Sequence, residues 1–79
     1  MNQSALFEVE GLIVENLPNT YFRVRVTSEN PPELSQQLIL CRIAGRMRRN
    51  YIRLLPGDKV RIEVPGLDLT KGRIVYKLK

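Results

Sequence analysis

Residues 37–64 read QLILCRIAGRMRRNYIRLLPGDKVRIEV, and this stretch decides the architecture. In residues 37–43, Ile39, Cys41 and Ile43 alternate with Leu38, Leu40 and Arg42, the period of a strand with one apolar face. Residues 44–50, AGRMRRN, hold no β-branched side chain and suit a short helical turn, too short to persist without packing. Residues 51–55 lead into Pro56-Gly57-Asp58, a strong turn signal. From 59 to 64, Val60, Ile62 and Val64 point inward again, between Arg61 and Glu63.

The flanks add three more strands. Residues 7–17, FEVEGLIVENL, alternate partially around Gly11, a position that predicts a bulge or sharp bend. Pro18-Asn19 marks a turn. In residues 20–27, TYFRVRVT, Phe22, Val24 and Val26 alternate with Tyr21, Arg23 and Arg25. SENPPELSQ, residues 28–36, is an extended loop, residues 65–72 a connection, and residues 73–78 a last strand. Five short strands with one helical turn between the third and fourth predict an all-β, five-stranded OB-fold barrel, a better match than an SH3-like barrel. The chain reads as one domain over residues 1–79, with a flexible terminus at 1–5. Its expected core is Val9, Ile13, Phe22, Val24, Val26, Ile39, Cys41, Ile43, Val60, Ile62, Val64 and Ile74. A core of that size predicts modest stability.

Composition removes several function classes. At 79 residues there is no room for a second core. Histidine is absent and cysteine occurs once, which excludes a disulfide framework, a Cys/His zinc site and any triad with a histidine base. Without those groups or clustered carboxylates, acid, base and nucleophile roles lack candidates, so no enzyme, metal or cofactor is expected. Cys41 reads as a core residue. No apolar run is long enough for a membrane helix, and no signal-peptide pattern opens the chain. The expected setting is therefore cytoplasmic, away from membranes.

Charge is lopsided. Residues 1–41 carry two arginines against five glutamates, a net of −3, while residues 42–79 carry eleven basic against three acidic residues, a net of +8. That favours a polyanionic partner. Residues 42–53, RIAGRMRRNYIR, hold five arginines, one tyrosine and no acid. Arg46 and Arg49, three apart on a helical turn, repel each other until anions bind. A guanidinium fork grips phosphate in two places and stacks on bases, and Tyr51 offers a stacking surface worth ~1–3 kcal/mol per base. The bland alternative is a solvated basic turn that aids solubility, although soluble faces usually mix both signs. Met47 reads as a plug beneath this turn rather than a base contact. Lys71, Arg73, Lys77 and Lys79 form a second basic cluster, with Arg73, Val75 and Lys77 expected on one strand face. Tyr21, Arg23 and Arg25 form a third candidate, unless the arginines pair with glutamates of the first strand.

The segments GLIVENLPNTYFRV (11–24), GRMRRNYIRL (45–54), PGDKVRIEV (56–64) and DLTKGRIVY (68–76) together resemble bacterial-type translation initiation factor 1 over nearly the whole chain. The resemblance implies an OB-fold, non-enzymatic protein in the A site of the small ribosomal subunit. There it would contact 16S-type ribosomal RNA and a neighbouring ribosomal protein, block premature tRNA entry and assist the other two initiation factors. By residue match, the RNA-binding set is Arg46, Met47, Arg48, Arg49, Tyr51 and Arg53, with Lys71 and Arg73 on the C-terminal track. Arg42 joins them where family members often have histidine, and Tyr21 and Arg23 are candidates on the sheet face. The loop between the second and third strands is longer than the family's, contains Pro31-Pro32, and reads as neutral surface variation rather than as an additional RNA contact. A monomer is expected, in bacterial cytoplasm or, if plastid-encoded, in the plastid stroma. The competing reading, a cold-shock type RNA chaperone, needs several aromatics on the sheet face, where this chain offers Tyr21. A permanent ribosomal structural protein is the third reading.

Overall fold

The computed structural model describes residues 5–49 and 52–78. Five strands, β1 (Leu6–Leu17), β2 (Tyr21–Val26), β3 (Leu38–Ile43), β4 (Lys59–Pro65) and β5 (Lys71–Lys77), close into a barrel in the order β1-β2-β3-β5-β4. The short helix α1 (Gly45–Arg49) lies between β3 and β4. This is the expected OB-fold. Every strand pairing is antiparallel except that of β3 with β5, which sets Cys41 beside Gly72 and Arg42 beside Arg73. Of the residues expected at the flexible terminus, 1–4 lie outside the described residues, as do Tyr51 and Lys79.

Closure depends on β1, which is twelve residues long and pairs along both edges. Gly11 is the crossover: it faces Val26 of β2 on one side and Val60 of β4 on the other. A Cβ there would lie 2.6 Å from Val24 Cγ1 and 2.7 Å from the Arg25 carbonyl oxygen, so only glycine allows the approach. The bulge expected at Gly11 falls instead at Val14, where the β1–β2 register shifts between Ile13 and Glu15. That shift sets Glu15 opposite Arg23. The turn between β1 and β2 is a 3-10 turn at Pro18–Thr20, with Asn19 at φ 65° and Thr20 at φ 63°. Asparagine tolerates this left-handed region, whereas a β-branched threonine is strained in it.

The alternating residues fill the barrel as expected, except Ile43, which is half-buried and packs against the core from its edge. Two further side chains, from the elements after and before β3, join this core. Met47 of α1 is 2% exposed and enters the core, the plug its type suggested. Leu34, from the irregular loop, is fully buried and belongs to the same core. The loop backbone holds it there through Leu34 N–H to Pro31 O at 3.0 Å and Gln36 N–H to Val26 O at 2.9 Å. Residues 28–36 are thus more than neutral surface: burying a leucine is worth ~1.5–3 kcal/mol. Ala44 and Leu54 are also buried, at positions where alternation gives no signal, and so is Val75, which alternation placed on the face of Arg73 and Lys77.

Cys41 is fully buried on β3, and burial pushes its thiol up from 9.0 to about 12. The folded protein therefore keeps a proton that the unfolded chain releases near pH 9.0. The resulting stability is fully present below pH 9.0 and is lost as pH rises toward about 12.

Two outcomes follow from this core. Gly11→Ala lowers the unfolding free energy by about 1–3 kcal/mol, read as a lower urea midpoint at unchanged m-value. Between pH 9.0 and 11 the wild type loses up to ~1.4 kcal/mol per pH unit more stability than Cys41→Ala does, because only the wild type carries this titration.

Candidate nucleic-acid interface

At the end of β3 the chain turns on buried Ala44, whose carbonyl accepts hydrogen bonds from the Met47 and Arg48 N–H groups, both at 3.1 Å. With Met47 committed to the core, Arg46, Arg48 and Arg49 face outward. All three stand in the last turn of α1, where the helix carbonyls offset part of their mutual repulsion. Arg46 donates from Nη2 to the Val75 carbonyl at 3.1 Å, tying α1 to β5, while Arg48 reaches toward Thr20 Oγ1 at 3.5 Å. Arg46, Met47 and Ile52 line an open hollow of about 350 Å³ together with Val75, Tyr76 and Lys77.

The ion pairs among the described residues all lie elsewhere: Arg23–Glu15 at 3.4 Å, Arg61–Glu10 at 3.5 Å, Arg73–Glu63 at 2.9 Å and Lys77–Asp58 at 3.6 Å. Arg42, Arg46, Arg48, Arg49 and Arg53 have no carboxylate within 4.0 Å among the described residues. Among the described residues their charge meets no ion-pair partner, and Arg42, Arg48, Arg49 and Arg53 are exposed together with Arg46.

Sheet pairing adds a second basic surface beside this knuckle. Across β2, β3 and β5, Tyr21 faces Arg42 and Arg42 faces Arg73, while in the next row Arg23 faces Leu40 and Leu40 faces Lys71. Shallow depressions of about 330 and 140 Å³ flank Gly72, and Arg42 and Lys71 line both. Arg23 makes the pairing with a first-strand glutamate that was the alternative to a binding role, and Arg73 is likewise paired. Exposed pairs of this kind contribute only ~0–1 kcal/mol. In the turn before Lys71, the Thr70 hydroxyl and then the Thr70 N–H hold the Asp68 carboxyl below its usual value.

The C-terminal track expected along Arg73, Val75 and Lys77 does not form. The β4–β5 register shifts so that Ile62 faces Ile74 while Arg61 faces Tyr76, leaving Val75 as an extra residue. A one-residue bulge exchanges the faces of everything beyond it. Lys77 consequently shares a register position with inward-facing Val60 and turns to Asp58 and to the Arg53 carbonyl. The freed Val75 carbonyl is the one that accepts from Arg46. Sequence reading missed this Lys77–Asp58 contact and the approach of Arg48 to Thr20, because nothing local signals either. It carried Met47 over as a binding residue, whereas the side chain lies in the core. Tyr51 lies outside the described residues. Among the described residues no three acidic or sulfur side chains gather to hold a metal ion, and no helix is long and apolar enough to cross a membrane.

No family model matches the chain. It is 54% identical over 70 residues to the chloroplastic translation initiation factor IF-1 of Drimys granadensis, covering 89% of this chain and 82% of that one. The same factor of Vitis vinifera is 53% identical over the same shares. The chain belongs to the translation initiation factor IF-1 family. IF-1 proteins are translation factors, not enzymes. The solution structure of the same initiation factor from the Wolbachia endosymbiont strain TRS of Brugia malayi superposes with a TM-score of 0.70 at 38% identity, covering 98% of this chain and 83% of that one. YjeQ from Thermotoga maritima shares the fold alone, at a TM-score of 0.67 and 22% identity, over 92% of this chain and 23% of its own.

The arrangement separates arginines that anchor from arginines that are free. Arg46→Ala leaves the protein folded but less stable by about 1–3 kcal/mol, because the part-buried Val75 carbonyl loses a charged donor. Arg49→Ala stays within about 0.5 kcal/mol of wild type, both read from urea midpoints.

Proposed function

We propose that this IF-1 family protein binds the A site of the small ribosomal subunit as a single RNA-binding domain, and there blocks premature tRNA entry and assists the other two initiation factors. One observation carries the reading: a short helical turn and its flanks hold five exposed arginines with no carboxylate partner among the described residues. Self-repelling cations on a rigid knuckle are unfavourable in the free protein and favourable against phosphate. The contact set is Arg42, Arg46, Arg48, Arg49, Arg53 and Lys71, with Arg73, Arg23 and Tyr21 on the sheet flank and Tyr51 assigned by resemblance. Folded ribosomal RNA is read largely by shape and backbone, so a compact barrel with one cationic protrusion needs no base code.

The partners are 16S-type ribosomal RNA, a neighbouring ribosomal protein and the other initiation factors. The protein acts as a monomer and without a membrane. The chloroplastic relatives support the plastid stroma over bacterial cytoplasm as its setting. A cold-shock type chaperone would need aromatics across the sheet, and among the described residues Tyr21 is the aromatic in the Arg42 row.

Binding to isolated small subunits should weaken roughly a hundredfold between 50 and 200 mM salt, the effect of about four neutralised phosphates. Arg48→Ala and Arg49→Ala should each reduce the log–log salt slope by about 0.7–0.9. Chemical footprinting should show protection confined to the decoding region. Salt-independent binding, or equally tight binding to free oligonucleotides, defeats the proposal.

A further inference from the structure

Arg53 sits in residues 52–55, a segment with neither helix nor strand. Such a segment must satisfy its backbone groups outside regular structure, and here side chains do so, two from distant strands and one from the adjoining turn. Asn16 Nδ2 donates to the Leu54 carbonyl at 3.3 Å, and buried Leu54 anchors the middle. The other contacts converge on one carboxylate. Asp58 Oδ2 accepts from the Leu55 N–H at 2.8 Å and lies 3.6 Å from Lys77 Nζ, which donates to the Arg53 carbonyl at 3.1 Å. Asp58 and Lys77 therefore close a clamp over the two ends of Arg53–Leu55. It exists because the β5 bulge at Val75 turns Lys77 away from the face that Arg73 occupies.

From this we infer that Asp58 and Lys77 are positioning residues for RNA binding: they hold the Arg53 backbone so that its guanidinium stands with the α1 arginines, and Lys77 is not itself a phosphate contact. The inference rests on the binding role proposed above. It separates from simple electrostatics by sign. Removing the negative charge of Asp58 should tighten binding to a polyanion if charge alone matters. If the carboxylate holds the segment, the same change should loosen it.

The test measures small-subunit affinity and its salt slope for wild type, Asp58→Ala, Lys77→Met, the double variant and each change in an Arg53→Ala background. The clamp predicts Asp58→Ala about fivefold to thirtyfold weaker at an unchanged slope, the loss of one or two hydrogen bonds' worth of positioning. Lys77→Met should weaken binding to a similar degree, and the double variant no more than the weaker single, since the two act as one unit. With Arg53 already removed, Asp58→Ala should have little further effect. In the free protein, hydrogen exchange at the Leu55 amide should quicken in Asp58→Ala. If that variant does not fold, Asp58→Asn, which keeps an acceptor for Leu55 but ends the charge pairing, should give a smaller loss of the same kind. Tighter binding by Asp58→Ala, a slope reduced by a full phosphate in Lys77→Met, additive losses, or an unchanged Leu55 amide would each overturn the clamp. Failure of the wild type itself to bind small subunits would remove the proposed function, and this inference with it, whatever Leu55 does.

Discussion

One twelve-residue strand, whose two halves meet different neighbours, holds this molecule together. β1 pairs with β4 over its first half and β2 over its second, and at Gly11 it does both at once. The missing side chain at Gly11 lets β1 approach Val24 and the Arg25 carbonyl, which a Cβ would force apart. Closure removes the free strand edges that invite association. It also gives the basic residues a rigid support, since α1 is far too short to be stable alone and is held by Met47 in the core and Arg46 on β5.

On that support, charges divide by geometry rather than by number. Glutamates of β1 and β4 sit opposite Arg23, Arg61 and Arg73 in the ladder and pair with them. The arginines of residues 42–53 project from the end of β3, α1 and the irregular segment after it, beyond the reach of those rows. An excess of +5 over the whole chain thus becomes a local surface of one sign. A uniform spread of the same charge would aid solubility without favouring any one approach for a polyanion.

Both bulges change what faces what. At Val14 the extra residue in β1 brings Glu15 opposite Arg23, so a basic position on the sheet face becomes an ion pair. At Val75 the extra residue in β5 places Tyr76 opposite Arg61, turns Lys77 toward Asp58 and frees a carbonyl for Arg46. The parallel pairing of β3 with β5 joins Arg42 to Arg73 and Leu40 to Lys71, residues about thirty positions apart. The basic surface beside the knuckle is a product of these registers.

The amino-acid order by itself determined five strands, the inward faces of β2 and β4 and the arginine-rich knuckle, because alternation and composition are local properties wherever no bulge interrupts the strand. Phe22, Val24 and Val26 or Val60, Ile62 and Val64 can point in only one direction relative to their neighbours. It also carried the four segments from which the resemblance to IF-1 was legible. Tertiary structure alone decided that Leu34 leaves a proline-containing loop to fill the core, that Ile43 stays at its edge, and that Lys77 turns from the basic track to Asp58. It alone decided which cations meet a carboxylate and which do not. Those outcomes depend on distances between residues remote in the chain, and a single bulge is enough to reverse them.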